Sequence, residues 1–246
     1  MTTPKPNQNE TAIMTPTSSV TEACTYLESV TRGFWQAQEK CQLGEFEAPV
    51  ECALILKLVV KHTESVIQLA RTDLALLPSA LVLARAALEG GINVLWVLQP
   101  EDPFEREARW LSLLANMENK ATQFSRDYGE QSENDHYSQL ACRTRDFRVG
   151  VSSKMPQRVG KPQALPKLWK RFNDLDRKGG YVFYKQLCQY THGTMFATGL
   201  YRRKRCPEGG GSGQSTSEVI GESAKRSFHC AGASCQVSTA RWVWIR

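Results

Sequence analysis

The sequence predicts an all-α protein, a single helical bundle over residues 19–201 with disordered tails at both ends. Three observations carry that reading. Apolar residues recur at spacings of three and four through most of 19–201. No run alternates apolar and polar residues as a half-buried strand would. Prolines fall between the periodic segments, at helix starts and stops.

The elements follow in order. Residues 1–18 (MTTPKPNQNETAIMTPTS) are polar, aperiodic and rich in Pro and Thr, which marks a flexible leader. Ser19 or Thr21 is placed to cap a first helix to about Leu43, with Leu27, Val30, Phe34 and Ala37 along one face. Gly44 stops it. Pro49 opens a second helix at the first-turn position that proline tolerates, and Leu54, Leu58, His62, Val66 and Leu69 form its expected apolar row. Pro78 opens the third helix and Pro100 ends it. A fourth starts near Pro103, with Glu105 and Glu107 favouring the positive end of the helix dipole and Ala108, Leu111, Leu114 and Met117 as its stripe. A shorter fifth helix is expected from about Glu133 to Phe147. Three prolines and two glycines make 148–166 a loop. A brief helix over 168–175, a break at Gly179-Gly180 and a last helix from Tyr181 to about Tyr201 complete the domain. Residues 202–246 open on the basic run Arg202-Arg203-Lys204-Arg205; the chain then becomes Gly- and Ser-rich, without periodicity, and reads as a disordered tail.

The bulk composition narrows the classes. The chain has 246 residues, enough for one substantial core, and a net charge of +6 that is basic without being histone-like. Its eight cysteines form no CxxC pair and no signal peptide is evident, so a reduced, cytoplasmic protein is expected. Leu76–Leu98 is long enough to cross a bilayer, but a central charge costs roughly 2.5–3.5 kcal/mol there. Arg85 and Glu89 near its middle, with Pro78 and Gly90-Gly91, argue for a buried helix and no membrane span.

The polar residues of this third helix are the first candidate for chemistry. Arg85, Glu89, Asn93 and Trp96 fall within about 80° of one another at 3.6 residues per turn. A buried polar group without a partner costs roughly 1–3 kcal/mol, so the stripe is either a structural lock or the wall of a site. Arg85 and Glu89, four residues apart, neutralise each other in either case. Tyr184, Cys188 and His192 are the second candidate, spaced by four along the last helix. Histidine exchanges protons near neutral pH, Tyr184 is placed to orient it, and Gly193 lets backbone or ligand approach closely.

Together, Arg85, Leu88, Glu89, Trp96 and Leu98, followed by Tyr184, Leu187, Cys188 and His192, resemble a family of uncharacterised bacterial helical proteins. That family in turn resembles the HEPN group of helical bundles. The resemblance covers about residues 20–201. It implies a dimeric, metal-independent protein that binds or cleaves RNA in bacterial stress or phage defence. On that reading His192 is the general acid/base, held by Glu89 and Tyr184, while Arg85 or Lys185 steadies phosphate and Asn93 contacts substrate. The HEPN ribonuclease motif places an Arg with four to six residues between it and its His. Those positions hold Lys185, Gln186 and Leu187 here. Lysine keeps the charge but lacks the planar fork that grips phosphate at two points.

Between Arg143 and Lys178 stand eleven Lys or Arg against three Asp, with Phe147, Trp169 and Phe172 available for stacking on bases. Cys206, His229, Cys230 and Cys235 match no standard zinc spacing, and no Walker loop, GxSxG or HExxH occurs, so neither metal nor cofactor is expected. Three functions stay open: an HEPN-like RNA protein, a non-catalytic module that binds a small polar ligand or a protein partner, and a structural or regulatory homodimer without a site.

Overall fold

The computed structural model describes residues 15–40, 44–128, 135–157 and 164–193. Among them are seven α-helices, a short 3-10 helix and no strand, so the fold is all-α. The helices are α1 (Ser18–Gln38), α2 (Glu47–Thr72), α3 (Leu77–Leu98), α4 (Pro103–Tyr128), α5 (His136–Ser153), α6 (Leu168–Asp174) and α7 (Lys178–Thr191). The leader through residue 14, the continuation of the last helix beyond Gly193 and the whole Gly/Ser-rich tail lie outside the described residues.

The chain divides into two compact units. The first takes α1, α2 from Lys61, the 3-10 helix Leu74–Leu76, α3 as far as Ala86 and α7 from Phe183. Its core is Val20, Cys24, Ile67, Ala70 and Leu74, with Leu27 packed against them. The sequence placed the inward stripe of α1 one position off: Val20, Cys24 and Thr31 are buried, whereas Val30 and Ala37 are exposed. The polar neighbours explain the choice. Glu28, on the Leu27 side, forms an ion pair with Arg71, and Trp35 Nε1 donates to Glu64 Oε1 at 2.7 Å. The 3-10 helix is capped by Asp73, whose carboxylate accepts from the Ala75 amide at 2.8 Å.

The second unit holds the remaining parts of α2, α3 and α7 together with α4, α5 and α6. Ala48, Cys52, Val94, Trp96, Val97, Trp110, Leu111 and Leu114 form its core. In α2 the inward row runs through Ala48 and Cys52; of the expected row Leu54 and Leu58 are exposed, while His62, Val66 and Leu69 are half-buried. The close approach of α3 favours this. A Cβ at Gly90 would stand 2.8 Å from Val59 Cγ2, so Gly90 admits the Val59 and Ile55 side of α2. The third helix is not covered all round. Leu95 is exposed and Leu88 half-buried, while Ile92, Val94, Trp96 and Val97 are buried. Leu74–Leu98 is the one stretch among the described residues that is long and apolar enough to cross a membrane.

Two elements differ from expectation for identifiable reasons. α5 runs to Ser153 instead of stopping at Phe147. Asp135 caps it by accepting from the Tyr137 and Ser138 amides, and Arg145 and Arg148 both bond to Glu118 of α4, which holds the helix through its exposed Gly150. The Gly179-Gly180 pair lies inside α7, not between helices. Asp176, at φ 52°, makes the turn instead, and a Cβ at Gly180 would meet the Phe172 ring at 2.9 Å.

The inward face of α4 carries two buried carboxylates of opposite character. Glu107, 3 % exposed, accepts from the Ala48 amide through Oε1 at 2.7 Å and so caps α2. Burial pushes its carboxyl above the usual range, only partly offset by that amide. Burial acts the same way on Glu118, but bonds from Arg145 and Arg148 outweigh it and hold this carboxyl low. The linkage signs are therefore opposite. A raised folded pKa means that the stability tied to Glu107 is present below the ordinary glutamate value and lost as pH rises through the folded one. A lowered folded pKa means that Glu118 contributes above the ordinary value and loses its contribution as pH falls through the folded one. Thermal melts across pH should show Glu118→Gln flattening the acid side of the stability curve. Glu107→Gln, which keeps the acceptor for Ala48, should flatten the decline on the other side.

Candidate functional site

The two candidate motifs meet in the first unit at Arg85 and Tyr184. Arg85 Nη2 donates to the Tyr184 hydroxyl at 3.0 Å, and its guanidinium lies 5.3 Å from the centre of the same ring. Tyr184 is only 8 % exposed and Leu187 and Cys188 beside it are buried, so α7 turns this face inward. Burial works against the Arg85 charge, but bonds to Tyr184 and Cys188 outweigh it and raise its pKa. A guanidinium seated on a ring and bonded to a phenol and a thiol is held in one place.

The flank of α7 about a quarter-turn from this face is open. Lys185 and His192 are both exposed. His192 stands one residue past the helix, yet its amide still donates to Cys188 O at 3.1 Å and continues the ladder. Seven residues apart, the two side chains fall within about 20° of the same direction. Gly193 follows at φ 58°, the left-handed conformation that ends helices and that glycine adopts without strain.

The rest of the predicted polar stripe belongs to the second unit. Glu89 is half-buried one turn beyond Arg85. Asn93 accepts from Arg171 Nη1 of α6. Trp96 lies under the Arg109 guanidinium, 5.0 Å from the ring centre, while Arg109 also donates to Gln99 Oε1 at 2.9 Å. Gln99 Nε2 in turn donates to Asp174 O at 3.1 Å. Arg85, Asn93 and Trp96 thus each meet a named partner on another helix, as the polar residues of a core-facing stripe require.

Arg171 was hidden in the sequence by the basic run around it, although a signal existed. Leu168, Arg171, Phe172 and Leu175 fall on one face of a short helix, which marks Arg171 as inward. Phe172, a candidate for base stacking, is fully buried and lies 5.8 Å from the Tyr181 ring, which removes it from that role. Trp169 and Phe147 are exposed. Among the described residues no group of three or more His, Cys, Asp or Glu side chains is placed to hold a metal ion.

Fold and geometry define an all-α protein whose α7 turns Tyr184, Leu187 and Cys188 inward and leaves Lys185 exposed. No family model, curated protein or solved structure matches the chain.

Proposed function

We propose that this protein binds RNA at the exposed flank of α7, with Lys185 and His192 contacting phosphate. The observation that supports the reading is that these two side chains are exposed along one flank of a helix whose inward face is fixed by Tyr184, Leu187 and Cys188. A cation held on a rigid helix meets phosphate at little cost in ordering. Arg85 serves as a positioning residue: it fixes Tyr184 and hence α7, and its bonds to Tyr184 and Cys188 leave the phosphate role to Lys185.

The exposure of His192 favours a second reading, RNA cleavage. There its imidazole takes the proton of a 2′-hydroxyl and the 2′-oxygen bonds to phosphorus. The 5′-oxygen then leaves with a proton from water, giving a 2′,3′-cyclic phosphate. Lys185 balances charge on the phosphate. Glu89 and Asn93 have no part in either reading.

Fluorescence anisotropy with a labelled RNA over a range of salt concentrations tests the binding site. Lys185→Ala should weaken binding and reduce the slope of log K against log salt by about 0.7, one phosphate contact on a single strand. Lys185→Arg should retain or tighten binding, because its fork bonds phosphate twice. A wild-type protein that binds no RNA at low salt, or a slope that Lys185→Ala leaves unchanged, overturns the proposal.

A further inference from the structure

The short helix α6 is a second surface that the α7 reading leaves unused. It is only seven residues long, yet its inward side is anchored by two buried residues, Arg171 and Phe172. Arg171, 6 % exposed, bonds to Asn93; Phe172 is completely buried; and the Leu175 and Arg177 amides donate to Arg171 O and Phe172 O. Against that anchor Trp169 stands 46 % exposed, and among the described residues its ring stacks on no other. Lys167 and Lys170 flank it, and Arg177 and Lys178 follow, all four exposed, against the exposed carboxylates of Asp174 and Asp176.

The open indole stands outside the core that Phe172 fills. Its flat face suits a nucleobase, and the lysines on either side suit the phosphates that come with one. A base within a duplex is stacked between its neighbours and out of an indole's reach, whereas an unpaired base is free to lie on it. We infer that α6 is a stacking platform for unpaired nucleotides, with Trp169 under a base and Lys167 and Lys170 on the adjoining phosphates. This inference rests on the RNA-binding reading and narrows its substrate to single-stranded segments.

The test uses the full chain and a short fluorescein-labelled RNA, alone and annealed to its complement. Wild-type protein should prefer the single strand. Trp169→Ala should weaken single-strand binding about five- to one-hundred-fold, the range seen when a stacking aromatic is removed, and leave duplex binding nearly unchanged. Trp169→Phe should restore much of the loss, which a purely structural role for an exposed indole would not require. Circular dichroism and melting temperature should stay at wild-type values in both variants. Equal binding of single strand and duplex, or no effect of Trp169→Ala, overturns the stacking platform while the α7 site stands. Absence of any RNA binding by the wild type overturns both.

Discussion

Phe172→Ala should destabilise the protein by about 3–5 kcal/mol, the range for emptying a fully buried aromatic site. Phe172 is 0 % exposed, and its ring lies against Gly180 and near Tyr181. The cavity has little means of closing, because α6 is also held by Arg171 on Asn93. Chemical denaturation should show a lower midpoint with an unchanged slope. A variant that keeps the wild-type midpoint would mean that α6 is detachable and that its anchor is not the buried ring. Gly180→Ala probes the same contact from the other side, since its new methyl would need the Phe172 ring to shift.

This anchor shows where the sequence was legible and where it was not. Helix positions followed from proline punctuation and spacing: α4 starts at Pro103 and α6 covers Leu168–Asp174, both as expected. The inward face was harder to read. Leu54 and Leu58 were expected inside because they are large and apolar, but small Ala48 and Cys52 take that place. Gly90 of α3 admits the Val59 and Ile55 side of α2, and hydrophobicity alone does not record which side of a helix meets such a close approach. In α4 the sequence concealed two inward acids, Glu107 and Glu118, because each depends on a partner far along the chain, Ala48 and Arg145/Arg148. In the candidate site, the spacing paired Arg85 with Glu89 on its own helix and did not single out its bond to Tyr184, ninety-nine residues away. The exposure of His192 was not anticipated, since spacing by four suggested that it shares the face of Tyr184 and Cys188, whereas that face ends with the helix.

Arg85→Ala should cost about 2–3 kcal/mol. It removes a charge-assisted hydrogen bond, worth about 1.5–3 kcal/mol, and a cation–ring contact, and it leaves the hydroxyl of a nearly buried Tyr184 without its bond to Arg85. Tyr184→Phe keeps the ring and should lose less, about 1 kcal/mol. Arg85→Lys should recover little, because an ammonium lacks the plane that lies on the ring and reaches both Tyr184 and Cys188. If Arg85→Ala melts with the wild type yet loses RNA binding, then Arg85 contacts substrate and is not a lock.

On the proposed reading, α7 divides its labour between an inward face that packs into the fold and an exposed flank that binds RNA. The most direct test is the RNA affinity of the double variant Lys185→Ala/His192→Ala, measured beside its melting temperature. Exposed substitutions away from such locks change stability by no more than about 0.5 kcal/mol, so the melting temperature should hardly move. Affinity for single-stranded RNA should fall by at least about tenfold, the equivalent of 1.4 kcal/mol. Unchanged affinity, or a collapse of the melting temperature, would overturn that division.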